Sequence, residues 1–539
     1  MKSALPRILI VFLLCSHVAS GADEALPMVD GWPGLLILSG GNAVPDEAAE
    51  ALKDATKTGG SLLLITEAAS DPSTVAKSVK WLKEHEFADY VTINSALSEN
   101  ERRTRTITAI DAASAVWIGG GQQAKLAKSF EDGSVEAALQ RLLLRGGTVG
   151  GTSAGAAIMS KVMIASGGNE PKLTNGWDML PGAIVDQHFG QRHRFTRLQT
   201  AVEQHPERFG IGIDEKTAVF VRGRQIRVVG QGSVSILLAK SDYRNSEIQQ
   251  LQAGDTADLT QLRRASRQRV SRIDPGLPQH GHREAKSGAL VIVGGGAMPN
   301  DVAERFIQLA GNRNANIVVL PTAMAREVVA HQAPGFLKQA DVKSVTVLPQ
   351  RGPDEVARKE FRSALNSATG IWFGGGRQWN FVDAYEGTEA LELFRDVLRR
   401  GGVIGGSSAG ATILGEFLVR GHPLGNTEMM AEGYERGFAL LPGAAIDQHF
   451  TQRDRQPDLL PVIRRHPGML GIGIDEGTAI VVTGTKVDVI GQHSAHFVSG
   501  PKLKNLAANE PLPITVDEAS KLYVSVKTGQ RLDLKDFLE

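Results

Sequence analysis

The chain is 539 residues long, enough for two or more domains that each bury a core. Its 59 basic and 59 acidic residues cancel, so no overall field draws nucleic acid or an anionic membrane, and neither is expected as a partner. With 42% hydrophobic and 22% charged residues, the composition excludes a disordered or fibrous chain.

The first predicted element is a secretory signal over 1–21: Lys2 and Arg7, the apolar run from Ile8 to Cys15, then the small residues Val18-Ala19-Ser20-Gly21-Ala22. The run is too short to span a bilayer and no other long apolar stretch follows. A secreted or periplasmic protein without an integral membrane segment is expected. Cys15 is the one cysteine in the sequence and falls inside that signal, leaving the mature chain without a disulfide, thiolate metal site or cysteine nucleophile.

From Gly34 onward, apolar runs alternate with helical patterns. Strands are predicted at about 35–39, 61–66, 89–93, 115–118 and 148–150, with helices such as Ser134 to Arg145 between them. Continuous apolar strands separated by helices imply a parallel sheet covered on both faces, a doubly wound α/β domain. The stretch from Ala183 through Gly232 has shorter strands and reads as a mixed extension.

The strand at 148–150 runs into Gly151-Thr152-Ser153-Ala154-Gly155, followed by an Ala-rich, helix-ready stretch. A strand turning sharply into a helix strains the middle residue, and glycines beside it avoid a Cβ clash; this is the pattern of a nucleophile elbow. Ser153 is the candidate nucleophile, and it needs a base held by a third group. His188 ends an apolar strand in Asp186-Gln187-His188-Phe189, where alternation puts Asp186 and His188 on one face. Asp214-Glu215 closes a Gly-Ile-Gly-Ile run, and either carboxylate could orient the histidine. Oxyanion donors are expected from the amide of Ala154 and from Gly120 in the Gly119-Gly120-Gly121 string.

All of this then returns. Gly288-Ala289-Leu290-Val291-Ile292-Val293 matches Gly34-Leu35-Leu36-Ile37-Leu38-Ser39, and the second copy carries Ser408, His449, Asp475-Glu476, Gly375 and Ala409 in the same order. The offset is 255 at the serines and 261 at the histidines, so about six residues were gained between them. Two tandem domains follow, at 22–262 and 288–539. Arg263, Arg264, Arg267, Arg269 and Arg272 with Pro275-Gly276 and Pro278 make 263–287 a predicted solvated linker. No Walker-type lysine and no metal-ligand spacing appears, so acyl transfer without metal or cofactor is expected.

The motifs G-[TS]-S-A-G-A, D-Q-H-F-x-Q-R-x-R and G-I-G-I-D-E-x-T-A, in that order and in both copies, resemble the cyanophycinase and peptidase E family of serine peptidases. The resemblance implies a fold related to class I glutamine amidotransferases, a Ser-His-Glu arrangement, and hydrolysis of aspartyl or β-aspartyl bonds in a peptide or a cyanophycin-like polymer. Under it the third members are Glu215 and Glu476. Substrate-binding positions carried over by motif are Gln122, Gln187, Arg192, Arg194 and Arg197, then Gln448, Arg453 and Arg455. Asp458 stands where Arg197 would recur and Arg377 where Gln122 would, which predicts two sites that differ in substrate. The fused copies are expected to pack as a pseudo-dimer. The competing reading is a binding module for acidic peptides with one or both copies silent. An amidotransferase is excluded by serine at both elbows, and an α/β-hydrolase is disfavoured by the order Ser, His, Glu.

Overall fold

A computed structural model describes residues 31–271, 284–325, 333–504 and 512–537, apart from 58, 88, 94, 339 and 514. The predicted signal over 1–21 and residues 272–283 of the predicted linker lie outside the described residues. Each copy has one large sheet and a smaller sheet beside it. In copy 1 the large sheet has eight strands, in the order 256–258, 225–230, 217–223, 32–39, 148–152, 113–118, 61–65 and 90–92. The last five run parallel, and the other three add antiparallel at one edge. Copy 2 repeats this order with 531–533, 486–491, 478–484, 285–293, 403–407, 370–373, 316–320 and 344–347. The chain is therefore an α/β protein of two tandem, mostly parallel domains.

The continuous apolar strand 35–39 is explained by burial on both faces. Leu36 and Leu38 pack with Leu139 and Leu142 of the helix Ser134–Leu144, while Ile37 points the other way onto Ala48 and Leu52 of the helix Asp46–Thr56. The elbow glycine is explained by close approach: a Cβ on Gly151 would stand 2.4 Å from the carbonyl oxygen of Gly155, in the helix that follows the nucleophile. That helix is only Ala154–Ala157.

The stretch expected to open a solvated tether is folded in its first part. Leu259–Val270 is a helix capped by the Asp258 side chain, and Arg263 and Arg269 on it are buried. The amphipathic spacing of Leu259, Leu262 and Ala265 makes the helix; Arg264 and Arg269 reach copy 2, while Arg263 packs against Gly182 of copy 1. Arg269 forks onto Glu432 (Nε to Oε1 2.6 Å, Nη2 to Oε2 2.8 Å), and Arg264 Nε donates to the Gly433 carbonyl at 2.8 Å. Arg224 donates to Asp383 at 2.7 Å and to the Tyr434 hydroxyl at 2.8 Å. Glu432, Gly433 and Tyr434 lie in a segment that is longer in copy 2. The equivalent amides of Trp177 and Phe438 bond to Ile158 and Ile413, and the span between them is six residues longer in copy 2.

Candidate active sites

Three consecutive carbonyls at the end of the central strand organise each site. Ser39 O accepts the amide of Ser153 (3.0 Å), Gly40 O that of His188 (2.8 Å), and Gly41 O that of Lys216 (3.2 Å), one from each segment that carries a candidate residue. Copy 2 repeats the set on Val293, Gly294 and Gly295, which accept from Ser408 (3.1 Å), His449 (2.7 Å) and Gly477 (2.8 Å). Gly41 has φ +105°, and a Cβ there would sit 2.3 Å from the His188 ring. The sequence showed this as a repeated Gly-Gly after the first strand, a signal to which no role was assigned.

The side chains converge on that hub. Ser153 Oγ lies 2.9 Å from His188 Nε2, and His188 Nδ1 lies 2.6 Å from Glu215 Oε1. In copy 2 the distances are 2.9 Å from Ser408 to His449 and 2.5 Å from His449 to Glu476. Both serines hold a strained backbone, φ 53° and ψ −110° at Ser153 and φ 56° and ψ −116° at Ser408, as an elbow requires. His188 and His449 also have positive φ, 49° and 52°, and stand one residue past their strands, so the alternation used to place them stops at Gln187 and Gln448.

The choice between adjacent acids is made by what surrounds them. Asp214 is occupied in joining loops, accepting the Gly190 amide at 2.8 Å and the Ser233 hydroxyl at 2.8 Å. Glu215 reaches the histidine instead, and Gln191 Oε1 accepts its amide at 2.8 Å. Asn42 Nδ2 gives Glu215 Oε2 a second donor at 2.9 Å; Gly296 follows the glycine pair in copy 2, so Glu476 has no such partner there. Neither Asn42 nor Gln191 was found from the sequence.

Burial holds the His188 and His449 imidazoles below their usual 6.5, against the opposing pull of the glutamate hydrogen bonds. The exposed Arg192 and Arg453 lower them further. A histidine must be neutral to take a serine proton, so activity should rise with pH through an apparent pKa below 6.5 and be level at neutral pH. A kcat/KM profile with its acid limb centred above 6.5 would contradict this.

The family model described as Peptidase family S51 matches residues 35–229 and again 290–490. The chain belongs to peptidase family S51. It is a serine-type peptidase carrying the family's domain twice. Similar proteins include a cyanophycinase of Geminocystis herdmanii, 43% identical over 238 residues, which span 42% of this chain and 87% of that one. A cyanophycinase of Trichormus variabilis is 37% identical over 244 residues, 43% of this chain and 82% of that one. Among solved structures, a peptidase from an acI-B1 Actinobacterium is 21% identical with a TM-score of 0.34, covering 42% of this chain and 98% of its own.

In this S51 peptidase the residues expected to bind substrate divide into two groups. Arg192 and Arg453 are exposed beside their histidines, and Gln122 is exposed at the start of the helix Gln123–Ser129. Arg194 and Arg455 are turned inward, each bonding the carbonyl of the neighbouring glutamine, at 2.5 Å to Gln187 and 2.7 Å to Gln448. Gln187 is 4% exposed with its Oε1 taken by Arg194; Gln448 is 6% exposed, and its Oε1 has no partner among the described residues.

Arg197 is corrected outright. It is 6% exposed and spends its guanidinium on Asp186, with Nε 2.8 Å from Oδ2, and on the Gly167 carbonyl at 3.0 Å. A buried carboxylate demands such a fork, and the motif alone could not tell support from substrate contact. Arg377, in the place of Gln122, is likewise engaged: it donates to the carbonyls of His422 (2.8 Å) and Gly425 (2.6 Å).

The glycine strings lie against the nucleophiles. A Cβ on Gly120 would stand 3.5 Å from that of Ser153, and one on Gly375 would stand 3.5 Å from that of Ser408. Among the described residues, the amides of Gly120, Ala154, Gly375 and Ala409 donate to no backbone carbonyl.

Proposed function

We propose that the protein is a secreted, cyanophycinase-like peptidase that hydrolyses aspartyl or β-aspartyl bonds by a Ser-His-Glu mechanism in each copy. The observation that carries this reading is the unbroken Ser–His–Glu contact chain, present twice at 2.9 and 2.6 Å and at 2.9 and 2.5 Å. In it Ser153 and Ser408 attack the scissile carbonyl, and His188 and His449 take the serine proton and return it to the leaving amine. Glu215 and Glu476 hold the imidazole tautomer and stabilise the imidazolium. The amides of Ala154 and Gly120, and of Ala409 and Gly375, receive the oxyanion. Arg192 and Arg453, exposed beside the histidines, suit the carboxylates of an aspartyl substrate.

The fused pair is proposed as the working unit, supported by the ion pairs that join the copies. Export is supported by the pattern over 1–21, and the N-terminal sequence of the mature protein tests it. A release assay on cyanophycin and on matched aspartyl and β-aspartyl peptides tests the chemistry. Release of β-aspartyl-arginine units or cleavage of the β-linked peptides is expected. Failure to cleave any aspartyl substrate would overturn the reading in favour of a binding module.

A further inference from the structure

Each histidine-bearing strand places a buried aspartate two residues before the base, with Asp186 1% and Asp447 0% exposed. A carboxylate so deep must be fully paired, and its pairing fixes the end of the strand from which the histidine departs. In copy 1 the partner is Arg197, on the helix Phe195–Gln204. The equivalent position of the helix Gln456–Arg465 is Asp458, which would set carboxylate against carboxylate.

The structure resolves that conflict with a residue from elsewhere. Arg420, just past the strand Gly415–Phe417, is 3% exposed. It donates to Asp447 from Nε (3.0 Å to Oδ1) and from Nη2 (3.0 Å to Oδ2). The same Nη2 reaches Asp458 Oδ2 at 2.6 Å, and Nη1 donates to the Asn426 carbonyl at 2.8 Å. Arg420 has φ +57°, a cost a non-glycine residue bears only where its surroundings demand it.

We propose that Arg420 is the positioning residue of the second site. It is a guanidinium transferred from helix to loop, the helix position now carrying an acid, and it holds Asp447 as Arg197 holds Asp186. The link to the base is short: Asp447 Oδ1 accepts the Gln448 amide at 3.0 Å and Arg455 Nη1 at 3.1 Å, and His449 is the next residue. Arg420 acts through this chain and touches no reacting atom. The loss of arginine at position 458 is therefore a relocation of support. The proposal rests on Ser408 being a working nucleophile.

The test uses the full chain with His188→Gln, so that only the second site can turn over. Three variants are compared by kcat, KM and the downfield NMR resonance of the His449 Nδ1 proton, which reports its contact with Glu476. Arg420→Ala should lower kcat about 100-fold with little change in KM, and weaken or shift that resonance. Asp458→Ala leaves the Arg420–Asp447 fork intact, and should stay within about fivefold of the parent. Arg420→Ala combined with Asp458→Arg rebuilds the first-copy arrangement, and should recover about tenfold or more over Arg420→Ala and restore the resonance.

Unchanged kcat and resonance in Arg420→Ala would overturn the proposal. So would a cooperatively melting double variant no better than Arg420→Ala. If the His188→Gln parent itself has no turnover, it is the nucleophile reading of Ser408 that fails. The His449 resonance then judges Arg420 alone, being lost and rescued if the proposal holds and indifferent if it does not.

Discussion

Replacing Ser153 and Ser408 together with alanine will lower peptidase turnover by about ten thousandfold to a millionfold, the loss seen when a nucleophile is removed from an intact triad. Folding should be untouched. Each hydroxyl is a small group whose hydrogen bond is to its histidine, and the elbow backbone is held by its own amide bonds to Ser39 and Val293. The single variants apportion the activity. Ser153→Ala should remove the larger share, because only Glu215 has a second donor in Asn42 to fix the carboxylate behind the base. Steady-state turnover and labelling by a fluorophosphonate probe measure the two losses independently. Full turnover in the double variant would end the serine mechanism.

Arg269→Ala will destabilise the protein by about 3 kcal/mol, at the low end for breaking a buried ion pair because Arg244 remains 3.4 Å from the stranded Glu432. The Arg269 side chain is 2% exposed and that of Glu432 8%, so water cannot replace the lost fork. The carbonyls of Ala239 and Asn245 lose their donor as well. The effect belongs to the junction between copies, so thermal unfolding should move down by roughly 5–10 °C and the two domains should separate into distinct transitions. Arg313→Ala removes an ion pair of the same type, with side chains 83% and 74% exposed, and should change stability by less than about 0.5 kcal/mol. Equal shifts for the two variants would show that the junction does not depend on the buried pair.

The legible parts of this protein are those that the backbone imposes locally. A strand buried on both faces has to be apolar without alternation, and an elbow has to carry glycine where a Cβ would stand 2.4 Å from the following helix; both requirements can be read along a few residues. The strands, the doubling, the two serines and the two histidines were therefore visible in the chain. The gain of six residues was visible too, but not that the lengthened segment meets copy 1.

What only the tertiary structure decided are pairings between distant side chains. Asp214 and Glu215 are equivalent in sequence, and separate only because Gly190 and Ser233 claim the first while His188 lies within reach of the second. The arginines of 263–270 read as solvated until their helix is seen against Glu432. Asp458 read as a lost contact until Arg420 was found filling the gap from 38 residues away. Backbone geometry leaves its mark on neighbouring residues, whereas a buried charge requires only that some partner arrive. The fold, not the motif, chooses which.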